Sequence, residues 1–203
     1  MTKIKICGLV TVKDAQAVNQ ARPDFAGVVF AAGRHQVNAE EAALIRQKLD
    51  KAIPLVGVFT DQPVEQMLSL YREKIIQLVQ LHSPKTAEEL QKLRSADVPV
   101  ILVSVGDEQI KIMNKNKQNV SDYQLVDAGQ GSGRSLDWTT LPDLTKGKTF
   151  LAGGLNVVNL QTAINQVQPY GVDLSSGSEQ NGRKNLKLMQ ELVAIAHGNG
   201  EKK

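Results

Sequence analysis

The chain has 203 residues, enough to bury a substantial core, and its 41% hydrophobic and 22% charged residues exclude a disordered chain. Its 24 lysines and arginines against 21 aspartates and glutamates leave a net charge of +3, which excludes a strongly basic nucleic-acid binder but does not repel a small anion. The single cysteine, Cys7, excludes an intrachain disulfide and any cysteine-cluster metal site, so whatever chemistry it has is that of a thiol.

No run approaches the roughly 18 consecutive apolar residues of a membrane span. The opening Met-Thr-Lys-Ile-Lys-Ile-Cys-Gly has no long apolar stretch after its lysines, so it does not read as a secretory signal, and the expectation is a cytoplasmic protein. In chain order, short apolar runs fall at 4–6, 26–30, 55–59, 76–81, 98–105, 123–126, 149–151 and 170–174. Several are unbroken and rich in Val and Ile, as strands covered on both faces of a parallel sheet should be.

Helical stripes lie between these runs. Ala42, Ile45 and Leu49 share a face, behind a start signal made by Asn38 and Glu41. Val64, Met67, Leu68 and Tyr71 follow the i, i+3, i+4, i+7 rule behind Pro63. Ser83-Pro84 opens a helix carrying Ala87, Leu90 and Leu93, and Asn156 is placed to cap one carrying Val157, Leu160, Ile164 and Val167. The last helix, over 184–197, carries Leu186, Met189, Val193 and Ala196, and a polar tail follows from 198 that is expected to fray. The segment 107–119 reads as a very polar helix and 138–144 as a short one.

Eight strands alternating with about eight helices predict an α/β protein, a single-domain (β/α)8 TIM barrel spanning 1–203. An open doubly wound sheet is the rival, but typically stops at five or six strands. In a barrel, function collects at the C-terminal strand ends. Those ends carry Cys7-Gly8, the 31–36 loop with Arg34 and His35, Thr60-Asp61, His82, Asp127 with the glycines at 129, 131 and 133, Gly153-Gly154, and Asp173 with Ser175-Ser176-Gly177.

Gly153, Gly154, Ser175, Ser176 and Gly177 read as a phosphate site, because backbone N–H groups unobstructed by Cβ atoms and two hydroxyls collect after the last two strands. The plainer alternative is that these glycines only make tight turns. Cys7 and Asp127 are acid/base candidates, against a buried small hydrophobe and a turn aspartate. The glycine-rich loop after Asp127 is of a kind that closes over a substrate. His82 is read equally as a ligand contact or as a histidine supporting one. Three scattered histidines without clustered carboxylates give no metal pattern. The glycines at 129, 131 and 133 lack the context of a dinucleotide fingerprint or a P-loop.

With these elements placed, the sequence resembles the phosphoribosylanthranilate isomerases of tryptophan biosynthesis over nearly its whole length. The matching segments are Lys5-Ile6-Cys7-Gly8-Leu9, Gly27-Val28-Val29-Phe30, Val56-Gly57-Val58-Phe59, Val79-Gln80-Leu81-His82, Leu125-Val126-Asp127, the 131–138 segment, Leu151-Ala152-Gly153-Gly154-Leu155-Asn156 and Val172-Asp173-Leu174-Ser175-Ser176-Gly177-Ser178-Glu179. The resemblance implies an Amadori rearrangement of a phosphorylated aminoaldose to an aminoketose, with no cofactor and no metal. It implies Asp127 as general acid on the furanose ring oxygen and Cys7 as general base on the C2 proton, the acid keeping its proton through burial under its loop and the base gaining thiolate character from a cationic intermediate and backbone donors.

Asp173 and His82 match positions that face the substrate in the family, and the glycines and serines above match its phosphate site. The anthranilate carboxylate meets an arginine of the second strand's loop; here His35 aligns with that position and Arg34 lies one residue earlier, with a side chain long enough to reach across. Other departures are Ser83 in place of Gly, no basic residue in Val103-Ser104-Val105, Asn185 in place of Asp, and a short loop between Asp127 and Gly131. An indole-glycerol-phosphate synthase would call for a catalytic lysine and carboxylates, a pentose-phosphate epimerase for a metal, and a barrel that merely binds a phosphorylated ligand would need neither Cys7 nor Asp127. The expected partner is thus a small phosphorylated substrate, with no nucleic acid and no membrane, bound by a monomer or a homodimer.

Overall fold

Strand begins where the β-branched runs begin, and every strand lies beside its sequence neighbour. The structure, a computed structural model, describes residues 1–105, 122–127, 138, 141, 143–145 and 147–198. β1 (Lys3–Cys7), β2 (Phe25–Val29), β3 (Leu55–Phe59), β4 (Leu78–Leu81), β5 (Val100–Val105), β6 (Tyr123–Asp127), β7 (Thr149–Ala152) and β8 (Gly171–Leu174) form one closed parallel barrel. Closure comes from β8 pairing with β1, with Lys5 opposite Asp173. The eight apolar runs all became strands, with ends displaced by a residue or two.

Six α-helices stand among the described residues: α1 (Val12–Ala21), α2 (Ala39–Lys48), α3 (Val64–Arg72), α4 (Ala87–Ser95), α5 (Leu160–Val167) and α6 (Leu186–Ala196). The apolar residues on the buried face of α1 are small, Ala15, Val18 and Ala21, and Asp14 is buried beside them, which is why no stripe announces the helix. Its start is set instead by a capping box between Thr11 and Asp14. The Asn38–Glu41 box of α2 is present as expected, with Glu41 N–H donating to Asn38 Oδ1 at 2.9 Å and Asn38 N–H to Glu41 Oε2 at 2.8 Å.

Three helix starts differ from expectation. α4 is capped by Thr86 with Glu89, not opened by Ser83-Pro84: Thr86 N–H donates to Glu89 Oε2 at 2.8 Å and Glu89 N–H to Thr86 Oγ1 at 3.2 Å, which sets the start three residues further on. α5 begins at Leu160: the Asn156 side chain accepts from Val158 N–H at 2.9 Å and holds a turn, leaving Val157 outside the helix. α6 begins after Asn185, which accepts from Leu188 N–H, while Lys184 belongs to a small antiparallel pair, β9 (Glu179–Gln180) and β10 (Arg183–Lys184). The expected helix at 107–119, the loop 129–133 and all of the expected tail but Gly198 lie outside the described residues. Of 138–144, Trp138 and Leu141 pack against the core and Leu144 is buried in it.

Strand alternation divides the core in two. One set of side chains, including Ile4, Ile6, Val28 and Leu174, points outward and packs under the helices. The other points into the barrel, where Phe25, Val56, Leu78, Ile101, Leu125 and Phe150 fill the N-terminal half as a solid plug. Each such large apolar side chain contributes about 1.5–3 kcal/mol by burial. The plug forms the floor of whatever occupies the other end.

Candidate active site

At the C-terminal end the inward positions turn polar. Cys7, Gln80, His82, Asp127, Asp173, Gly153, Gly154, Ser175 and Ser176 line a cavity of about 500 Å³, with apolar walls from Val29, Val58 and Leu155. That volume suits a small molecule. The cavity brings together eight of the ten residues singled out from the sequence. Arg34 and Gly177 are outside its lining.

The last two strand ends are shaped by glycine. Gly153 and Gly154 take φ of 105° and 64°, conformations an L side chain rarely adopts, directly after β7. The Gly154 carbonyl accepts from Asn156 Nδ2 at 3.2 Å and Asn159 Nδ2 at 3.1 Å, which fixes this peptide from the α5 side. Gly177 has a different reason: a Cβ there would lie 1.9 Å from the Leu155 carbonyl oxygen. It lets the loop after β8 close on the loop after β7, bringing Ser175 and Ser176 beside Gly153 and Gly154.

Arg34 is 57% exposed and its Nη2 lies 2.8 Å from Glu179 Oε2. His35 Nε2 lies 2.8 Å from the other oxygen of the same carboxylate, and its ring packs where a Cβ on Gly8 would fall. Lys184 completes the cluster, donating to Glu179 Oε1 at 2.9 Å and to the Ser175 carbonyl at 2.9 Å. Burial works against the Glu179 carboxylate, but Lys184, His35 and Arg34 together hold its pKa below the ordinary value. Burial lowers the His35 pKa despite that partner, so the ring is neutral at neutral pH. The result is a brace between the loop after β2 and the hairpin β9–β10.

Gln80 on β4 and His82, the first residue past its end, both reach the cavity, with Gln80 Nε2 3.0 Å from His82 Nε2. Burial first, and Lys5 second, lower the His82 pKa, which leaves a neutral imidazole near Asp127 and Asp173. Cys7 is 7% exposed. Its pKa is raised, chiefly by burial, with Lys5 opposing and Asp173 reinforcing the shift. The resting sulfur is therefore a protonated thiol.

Lys5, Gln80, Glu179 and Lys184 join the site beyond the residues expected from the sequence. Lys5 and Gln80 were legible, since each lies two residues before a residue already singled out. Glu179 and Lys184 were not, because a two-residue hairpin brings them together. Among the described residues no group of three or more His, Cys, Asp or Glu is placed to hold a metal ion.

Residues 4–194 match the family model for N-(5'-phosphoribosyl)anthranilate (PRA) isomerase. The N-(5'-phosphoribosyl)anthranilate isomerase of Lactiplantibacillus plantarum is 41% identical over 203 residues, covering 98% of this chain and 94% of that one. The crystal structure of phosphoribosyl anthranilate isomerase from Thermotoga maritima superposes with a TM-score of 0.84 at 27% identity, covering 98% of this chain and 100% of that one. A phosphoribosyl anthranilate isomerase in complex with reduced 1-(o-carboxyphenylamino)-1-deoxyribulose 5-phosphate gives 0.80 at 26% identity, again over 98% and 100%. The chain belongs to the N-(5'-phosphoribosyl)anthranilate isomerase family and is a (β/α)8-barrel isomerase.

Proposed function

We propose that the chain converts N-(5-phosphoribosyl)anthranilate to 1-(2-carboxyphenylamino)-1-deoxyribulose 5-phosphate, with Asp127 as general acid and Cys7 as general base. The observation that carries this reading is that both residues open into one cavity whose rim holds the glycine and serine loops after β7 and β8. Asp127 gives its proton to the furanose ring oxygen, the C1–O bond breaks, and the aniline nitrogen lone pair forms the C1=N iminium. Sulfur then takes the C2 proton. The C2–H pair becomes the C1–C2 double bond, and the iminium pair returns to nitrogen. The resulting enolamine tautomerises to the ketone.

The phosphate is held by Gly153, Gly154, Ser175, Ser176 and the turn at Gly177, through backbone N–H groups and hydroxyls. Asp173 and His82 contact the sugar, a neutral His82 suiting a hydrogen bond to a hydroxyl. Arg34 meets the anthranilate carboxylate from the rim, turning from Glu179 to do so. The reaction uses neither cofactor nor metal, in a cytoplasmic monomer or homodimer. No described helix is long and apolar enough to cross a membrane.

A steady-state assay on freshly prepared phosphoribosylanthranilate tests the roles. Cys7→Ser and Asp127→Asn should each lose at least about 100-fold in kcat while keeping the wild-type unfolding temperature. Near-wild-type turnover in either variant would remove that residue from the mechanism. No turnover by the wild type would favour a barrel that only binds a phosphorylated ligand.

A further inference from the structure

The scheme asks a buried thiol to become a base, and the same site holds a buried cation that the scheme does not use. Lys5 is fully buried, at 0% exposure, on the strand that ends in Cys7. Its ammonium donates to both oxygens of Asp173, at 3.0 and 2.9 Å, across the β1–β8 seam that closes the barrel. Taking a lysine out of water is costly even after the protein relaxes, and an aliphatic side chain here would extend the plug below without that cost.

Lys5 and Cys7 point to the same side of β1. A Cβ on Gly27, the residue opposite Cys7 on β2, would lie 2.9 Å from the Cys7 sulfur and 3.2 Å from Lys5 Cε. The two side chains therefore share the space that glycine leaves. The other charged and titratable groups acting here are Asp173, which opposes a thiolate, and Lys184, which favours one. Asp127, at the end of β6, and the neutral His82, just past β4, line the same cavity as Cys7.

We propose that Lys5 is the positioning residue of proton abstraction: its ammonium, anchored by Asp173 and seated beside Cys7 against Gly27, stabilises the thiolate that takes the C2 proton. This rests on the reading of Cys7 as the base. At rest Asp173 occupies the ammonium and the sulfur keeps its proton. A substrate hydroxyl donating to Asp173 takes up part of that carboxylate's charge, the ammonium turns its field to the sulfur, and the thiol proton passes to solvent. The base is then formed only when substrate is in place, which protects the lone thiol from oxidants and alkylating agents between turnovers.

Because Cys7 is the single cysteine, the ultraviolet absorbance of its thiolate, taken against Cys7→Ser to remove tyrosine ionisation, titrates one known site. Lys5→Met should move that titration upward by about one to three pH units. At fixed pH each unit should cost about tenfold in kcat, with little change in KM. The double variant Lys5→Met/Asp173→Asn replaces a buried ion pair with uncharged groups of similar size, a change the fold commonly tolerates. Its thiol should titrate above the wild type and below Lys5→Met, since the opposing carboxylate is gone as well. Thiol titrations that coincide with the wild type in either variant overturn the proposal, whatever happens to kcat. An unchanged titration beside an inactive Cys7→Ser overturns this proposal alone; full turnover in Cys7→Ser overturns the base assignment and this proposal with it.

Discussion

The two ends of the barrel solve the same burial problem in opposite ways. At the N-terminal end the inward positions are apolar, and rings meet edge to face: Phe25 and Phe150 at 5.5 Å and 84°, Phe150 and Tyr170 at 5.5 Å and 83°. The charges there sit on the rim. Asp24 accepts from Lys3 at 2.7 Å and from the Ile4 N–H at 2.9 Å, and His197 Nε2 lies 2.9 Å from it, all at positions with some access to water. At the C-terminal end the inward positions carry Lys5, Asp173, Gln80 and Asp127, and the charges lie inside. A floor is built to be stable; the mouth keeps buried polar groups poised to act on something that is not part of the chain.

The contrast predicts that a change in the floor moves stability and leaves the thiol alone. Phe150→Ala removes the ring at the centre of the plug and should cost about 3–5 kcal/mol by chemical denaturation. In the fraction that remains folded, Cys7 should titrate as in the wild type. A shifted titration would mean that the two ends are mechanically coupled.

Arg34→Ala tests the rim of the mouth. Its exposed pairing with Glu179 contributes little to stability, so the unfolding temperature should barely move. Affinity for the aminoketose product should fall by roughly tenfold or more, the value of one charge-assisted hydrogen bond. Unchanged affinity would transfer the carboxylate contact to His35, the residue that lies against Gly8 nearer the cavity.

Asp24→Asn gives the smallest effect, and it depends on pH. Although burial opposes the charge, His197, Lys3 and the Ile4 N–H hold the Asp24 pKa below the ordinary value of 3.8. A carboxylate with a depressed folded pKa stabilises the fold above its unfolded pKa and loses that contribution as pH falls through the folded one. Partly screened by water, the charge should leave the variant at most about 1 kcal/mol less stable near neutrality, with the gap closing as pH falls below 3.8. A gap independent of pH would show that shape, not charge, is what Asp24 supplies.

Much of this was legible in the chain. The apolar runs gave all eight strands because parallel strands are covered on both faces and need no polar interruption. α3 followed from a stripe and α2 from a stripe and a capping box, while α1 hid because Ala15 and Ala21 bury a face without looking apolar enough. Cys7, Asp127, Asp173 and the serine and glycine loops were found by position, at strand ends where a barrel collects its chemistry.

The order of strands, the polar strand ends and the family were thus determined by the sequence itself, since unbroken apolar runs and motif spacing are local properties of the chain. What only the tertiary structure decided is which charges face one another. Nothing in the string says that Lys5 donates to both oxygens of Asp173, a partner 168 residues away, that Glu179 braces Arg34 and His35, or that burial keeps the thiol protonated. Those facts depend on barrel closure, because the free energy of a charge is set by the dielectric and the neighbours that surround it in space.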